Sequence, residues 1–364
     1  MRVLTVNAGS SSLKLTVLDD DDAVLSNQEV DIGDAKNLDK ALTTFLKASP
    51  PFDAVGHRVV HGGAVFREPM VLNNDVDDAI KKLSDLDPLH NAPSLAAIHA
   101  LQSLRPDVTQ VACFDTSFHI NMPIKASTYA IPQSWSKKWD IRRYGFHGLS
   151  HEWASYRAGA LLGQPREELR LVTAHLGSGA SLAAVAYGRS VDTTMGFTPM
   201  EGLVMSTRSG SIDPGLILWV QRHGGLSADD VETALERESG LLGLSGETGD
   251  LRKVIALVDA GDERAQLAYD VYVYRIQTNV AAMCAAMNGL DALVFTGGAG
   301  EASPRLRHDV CAGLGFLGVR LHPSLSKALE EDHLESAPNV QPAVLVVKAR
   351  EDIEIAHHVR DLLS

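Results

Sequence analysis

Hydrophobic and polar positions alternate with a period of two on either side of a short polar turn near the N-terminus. Val3, Leu4 and Val6 make Arg2 to Val6 a strand, and Leu13, Leu15 and Val17 alternate with Lys14 and Thr16, so Leu13 to Leu18 is a second. Between them lies Asn7-Ala8-Gly9-Ser10-Ser11-Ser12. It combines a glycine that turns at low steric cost, small side chains that let backbone N–H groups converge, and three hydroxyls. The turn reads either as an ordinary hairpin or as an anion nest with Lys14 beside it.

Helical spacing of apolar positions predicts helices over Ala35 to Ala48, Asp75 to Leu86, Asp229 to Glu238, Glu263 to Met287 and Glu351 to Leu363. Apolar runs predict strands at Asp53 to Val60, Val108 to Phe114, Ala292 to Phe295 and Val344 to Val347. The prolines of Asp87 to Pro93 predict a loop, with Ser94 as the N-cap of a helix reaching about Leu104. Leu171 to Ala186 is again strand, Gly/Ser turn, strand. Its AHLGSGASLAAV resembles the opening VNAGSSSLKLTV, which suggests two related halves. The fold class is therefore α/β, and 364 residues suggest two domains.

Composition changes this picture little. Apolar residues are 45% and charged residues 22%, ordinary for a soluble globular chain whose core needs no disulfide or metal staple. A net charge of −13 argues against a nucleic acid or an anionic membrane as partner. It leaves room for an anionic small substrate where a few arginines reverse the local field. Cys113, Cys284 and Cys311 are far apart, lack CxxC spacing and have apolar neighbours, so they read as buried thiols of a reducing compartment. With no long uncharged apolar run and no secretory pattern, a cytoplasmic location is expected. The acidic run Asp19 to Asp22 reads as a solvated turn rather than a metal site.

Three Gly-rich turns follow predicted strands, at 7–12, 175–179 and 296–301, and each offers backbone N–H groups to a phosphate. There is no GxxxxGK[ST] sequence, and Ser303 stands where a GxGxxG would place its third glycine. Arg58 in GHRVVHGG and Arg208 in STRSGS suit a carboxylate or phosphate, or else a structural ion pair. Asp115 at a strand end reads as a catalytic or metal-orienting carboxylate, or as a cap. His147 and His151 are four apart, but Gly148 stands where HExxH needs Glu, which argues against zinc. The absence of GxSxG weakens a serine hydrolase.

Longer strings carry a family. VNAGSSSLKL (6–15), GHRVVHGG (56–63), PLHN (88–91), FDTSFH (114–119), RRYGFHGLSH (142–151), AHLGSGAS (174–181), DTTMGFTPMEGL (192–203), TRSGSIDPG (207–215), SGLLGLSG (239–246) and FTGGAGE (295–301) occur in one order along the chain. The chain resembles the acetate kinases, of the acetate and sugar kinase, heat-shock chaperone and actin superfamily. The resemblance implies two ribonuclease H-like (actin-like) domains, residues 1–119 with 353–364 and residues 120–352, with an active-site cleft between them. It also implies acetate and ATP as substrates, Mg²⁺ or Mn²⁺, and a homodimer assembled through the second domain.

By the same resemblance, Asn7 and Glu351 would serve the metal, and Ser10, Ser12 and Lys14 the phosphates. Arg58 would hold the acetate carboxylate, with Val60, Leu89, Phe146 and Pro199 around the methyl group. Asp115, His147 and Arg208 would be catalytic. His175, Leu176, Gly177, Ser178 and Gly179 would form a second phosphate loop. Asp250, Leu251 and Arg252, with Gly298, Ala299, Gly300, Glu301 and Ala302, would surround the adenosine end. The chain departs from the family at Ser178 (usually Asn), Ser211 (Asp), Ala302 (Asn) and Ala349-Arg350-Glu351-Asp352 (Thr-Asn-Glu-Glu), and it is shorter between Lys14 and Arg58. A propionate or other short-chain carboxylate kinase, or a non-catalytic nucleotide-gated binding protein, is the alternative.

Overall fold

In a computed structural model, the alternating residues near the N-terminus form β1 (Val3–Ala8) and β2 (Ser12–Leu18), antiparallel, with Asn7 opposite Lys14. The structure describes residues 1–9, 12–31, 35–83, 88–322, 331–337 and 339–364, without the side chains of 35, 36 and 88–90. It divides into two compact units: Met1–Ile120 with Phe146–Trp153 and Arg350–Ser364, and Asn121–Gly145 with Ala154–Ala349.

In the first unit, β1, β2, β3 (Val24–Asp31), β4 (Ala54–Val59), β5 (Met70–Val71) and β6 (Thr109–Phe114) form one sheet in the order β3-β2-β1-β4-β6-β5. β1, β4 and β6 run parallel. One face packs Leu4, Leu13, Leu15 and Val17 against Leu38, Leu42 and Phe45 of the helix Ala35–Ala48 and against Leu101. The other face receives the helix Glu351–Leu363 so closely that a Cβ at Gly56 would lie 2.4 Å from Ile355 Cγ2. β3 has no counterpart in the sequence reading. It is an edge strand that pairs with β2 and buries none of its residues, so its apolar pattern is weak.

Two expectations need correction. Of the loop expected at Asp87 to Pro93, residue 87 lies outside the described residues and 88–93 open a helix, Pro88–Leu104, which has Pro93 and the expected N-cap Ser94 inside it. Pro88 fits a first helical turn, and burial of Leu95, Ala97, Ile98 and Leu101 outweighs the hydrogen bond that Pro93 cannot make. The acidic turn is only partly solvated. Burial alone would raise the Asp22 carboxyl, but hydrogen bonds from Arg360 and His357 hold it below its ordinary range. The predicted helix Asp75 to Leu86 is present as Asn74–Leu83, and 84–86 lie outside the described residues.

In the second unit, β7 (Arg170–Leu176), β8 (Ala180–Ala186), β9 (Arg189–Thr193), β10 (Ala292–Thr296), β11 (His333–Leu334) and β12 (Ala343–Val346) pair in the order β11-β12-β10-β7-β8-β9. Read from the meander edge, both sheets run alike: three antiparallel strands, two more parallel to the first strand of the meander, then a short antiparallel edge. The repeated strand–turn–strand motif is thus the start of each sheet. The helix Glu263–Met287 buries Tyr272, Ile276, Val280 and Met283 in this unit's core. Cys113, Cys284 and Cys311 are buried free thiols. Among the described residues, no helix is long and apolar enough to cross a membrane.

Candidate active site

The carboxyl ends of parallel strands are where open α/β sheets bind ligands. In the first unit, that end carries Asn7 in β1, Arg58 near the end of β4 and Asp115 just past β6. Asp115 is fully buried. Arg58 Nε donates to both its carboxylate oxygens at 3.1 Å, and Nη2 donates to Oδ2 at 2.5 Å. Arg58 Nη1 also donates to Asn7 Oδ1 at 3.1 Å. Asn7 Nδ2 in turn donates to Glu351 Oε2 at 2.8 Å, an oxygen 3.7 Å from Arg58 Nε. Burial pushes the Asp115 carboxyl up, the Glu351 charge adds to that, and Arg58 with the His147 N–H opposes it.

His147 joins this cluster through its backbone, whose N–H reaches the Asp115 carboxylate. Its φ of +56° is rarely adopted by a side-chain-bearing residue, and such conformations concentrate at functional sites. The next N–H, of Gly148, donates to Asp115 O at 3.0 Å. A Cβ at Gly148 would lie 2.0 Å from that oxygen. Gly148→Ala is therefore expected to push the 146–150 segment off Asp115. Overpacking of this kind costs about 1–3 kcal/mol, and a melting temperature and turnover equal to wild type would contradict the placement.

Ser10 lies outside the described residues, as does the Leu89 side chain. Lys14 shares the face of Asn7, but its Nζ lies 3.4 Å from Glu29 Oε1 in an exposed pair. Val60 and Phe146 are buried, and Phe146 meets the His61 ring edge-on at 5.3 Å. Asn91, not singled out in the sequence, holds the turn after Val60: its Oδ1 accepts the His61 N–H at 3.0 Å and its Nδ2 donates to His61 O at 3.1 Å.

In the second unit, Thr296 of β10 lies opposite His175 of β7 in parallel register, so the 175–179 loop and the GGAGE segment leave neighbouring strands side by side. The latter is a helix, Gly297–Ala302, and not an open turn. Its entry needs Gly297 at φ +78°, where a Cβ would press on the Leu176 backbone at 3.0 Å. Nothing lies within 4 Å of where a Gly298 Cβ would be, so backbone is open to a ligand there. Ser206 N–H donates to Ser178 O at 3.1 Å, joining the loop to the segment that carries Arg208. Arg208 Nη1 donates to Pro199 O at 3.3 Å, and its Nε lies 3.8 Å from Glu236 Oε1. Asp250 caps the helix Leu251–Asp259 and pairs with the exposed Arg252, while Leu251 is buried.

Among the described residues, one cluster of His and carboxylate side chains has metal-ligand spacing: Glu152, Glu354 and His358. His358 Nε2 lies 3.2 Å from Glu152 and 3.4 Å from Glu354; burial alone would lower the His358 pKa, but contacts with the Cys113 side chain, Glu152 and Glu354 raise it well above the usual range. His147 and His151 are not in that cluster. The Asn7, Asp115 and Glu351 set offers oxygen donors alone, as Mg²⁺ prefers. Arg58 balances one of the two carboxylates, and the remaining negative charge favours a cation.

The chain matches the Acetokinase family over residues 32–357. It is 46% identical over 321 residues to the acetate kinase of Synechococcus sp. (strain JA-2-3B'a(2-13)), an alignment covering 88% of this chain and 79% of that protein. The crystal structure of Porphyromonas gingivalis acetate kinase superposes with a TM-score of 0.92 at 34% identity, covering 100% of both chains. A propionate kinase from Francisella tularensis subsp. tularensis SCHU S4 gives 0.90 at 34% identity, covering 98% of each.

Proposed function

The chain belongs to the acetokinase family, and on that premise we propose that it transfers the γ-phosphoryl group of ATP to acetate, reversibly and in line, giving acetyl phosphate and ADP. It is a phosphotransferase with a carboxyl group as acceptor. The observation that carries the site assignment is the hydrogen-bonded cluster of Arg58, Asp115, Asn7 and Glu351 at the ends of three parallel strands.

Phosphoryl transfer asks a protein for positioning and charge stabilisation. A simple carboxylic acid is ionised at neutral pH, so attack needs no strong base. The difficulty is bringing two anions together. Arg58 is assigned to the acetate carboxylate and the transferring group, with Arg208 as a second cation and His147 donating to the equatorial oxygens as charge redistributes. Asp115 orients Arg58 through its two-pronged pair, Nε to Oδ1 and Nη2 to Oδ2. Asn7, Asp115 and Glu351 would hold the divalent cation, which supplies Lewis-acid stabilisation of phosphoryl oxygens when bound. The Gly298 backbone and the His175–Gly179 loop are assigned to the nucleotide, and Val60, Leu89, Phe146 and Pro199 to the methyl group. Lys14, whose exposed pair with Glu29 a phosphate could displace, remains assigned to the phosphates.

A homodimer and a cytoplasmic location belong to the same reading. The helix Pro214–Gly224 supports the first: it buries none of its side chains, and Trp219 is 59% exposed. A monomer in sedimentation at micromolar concentration would refute it. Trapping the acyl phosphate as hydroxamate across acetate, propionate and butyrate tests the activity. Acetate is expected to have the highest kcat/KM, and one methylene in an apolar pocket is worth about 10–200-fold. A propionate optimum would move the assignment to that acid, and ADP release independent of any acid would overturn it.

A further inference from the structure

The linker between β12 and the helix Glu351–Leu363 is clasped at three successive backbone N–H groups. Val347 donates to Phe295 O at 2.9 Å, Lys348 to Asp332 Oδ1 at 2.8 Å, and Ala349 to Glu301 Oε1 at 2.9 Å. The third bond comes from the segment assigned to the nucleotide. The Glu301 main chain is itself fixed, because the fully buried Arg307 donates through Nη1 to Gly300 O at 2.8 Å and to Glu301 O at 2.7 Å. Arg307 is held by Glu335, with Nε to Oε2 at 2.8 Å. Glu301 is thus fixed through its main chain by Arg307 and through its side chain by Ala349.

Two residues beyond Ala349 stands Glu351, whose Oε2 accepts from Asn7. Ala349 has no side-chain hydroxyl, so its N–H is its one hydrogen-bond donor. Resting on the phosphotransfer reading above, we propose that Glu301 is a positioning residue: it ties the nucleotide segment to the linker that delivers Glu351, so that nucleotide bound at the Gly298 backbone sets the metal-binding carboxylate. Its side chain would act through Ala349 rather than on the nucleotide. An amide oxygen accepts the same N–H, so the geometry requires an acceptor at Glu301, not a charge.

Hydrogen exchange of residues 347–352 in the full chain, with and without Mg²⁺ and ATP, tests this directly. The wild type and Glu301→Gln are expected to show nucleotide-dependent slowing of exchange. Glu301→Ala is expected to exchange about tenfold faster and to show no such slowing, as loss of one half-buried hydrogen bond implies. In turnover, Glu301→Ala should lower kcat and raise the Mg²⁺ requirement about tenfold, with the KM for acetate unmoved and Glu301→Gln close to wild type. Glu301→Asp, one methylene too short to reach Ala349, is expected to behave as alanine does and replaces it if that variant does not fold. Nucleotide-dependent slowing retained without the acceptor, or glutamine as damaging as alanine, would overturn the proposal. A wild type that makes no acyl phosphate would instead overturn the phosphotransfer reading, and the exchange comparison would still report on the Glu301–Ala349 bond.

Discussion

Replacing Arg58 with alanine is expected to lower kcat/KM for acetate by at least about 10³, because one preorganised charge donor is worth about 10²–10³ and Arg58 also holds Asn7 and Asp115. Asp115 would be left fully buried with Glu351 nearby and no guanidinium. Burial and the Glu351 charge already push its carboxyl up, so removing the opposing cation raises it further and favours the protonated form. The sign of the stability effect follows. A carboxyl whose folded pKa lies above its unfolded value favours folding at low pH, and that contribution is lost as pH rises through the folded value. The melting temperature of Arg58→Ala should therefore trail the wild type little in mild acid and increasingly toward alkaline pH. A deficit that shrinks as pH rises, or near-normal turnover, would contradict the role given to Arg58. Arg58→Lys should recover little, since an ammonium cannot make the two-pronged contact.

Asp115→Asn is expected to produce the second large loss, about 10³ in kcat, with ATP affinity little changed. The amide keeps the size of the carboxyl but accepts through one oxygen and carries no charge, so Arg58 loses its orientation. Breaking a buried pair by removing one partner costs about 3–5 kcal/mol. The cost here should be smaller, because Glu351 Oε2 lies 3.7 Å from Arg58 Nε and can take over the cation. Calorimetric titration of ATP beside the hydroxamate assay separates the two readouts. Turnover like the wild type would remove Asp115 from the mechanism. A parallel collapse of ATP affinity measured without Mg²⁺ would make it a structural residue instead.

What could be read from sequence was what local chemistry dictates. The strand–turn–strand motifs, the helix Glu263–Met287 and the helix Glu351–Leu363 follow from periodicity, and the structure has them. Asn7, Arg58, Asp115, His147 and Glu351 were named on a resemblance, and the fold brings them into one cluster. The rest depended on contacts between distant segments. The helix at Pro88 forms against local proline signals because its later turns are buried. Gly148 matters only because Asp115 O lies beside it, and Asn91 because the His61 backbone does. The Glu29 partner of Lys14 was not legible either, because β3, which brings it opposite, is an edge strand with little apolar signal. Asp22 looked solvated until Arg360 and His357 reached it from the far end of the chain.

The central claim is that the acceptor is a carboxylate. Phosphorus NMR of the wild-type protein with ATP, Mg²⁺ and acetate tests it most directly. The expected spectrum gains ADP and acetyl phosphate signals in equal amounts, both dependent on acetate. ADP accumulating with inorganic phosphate, at a rate indifferent to acetate and without an acyl phosphate signal, would contradict it.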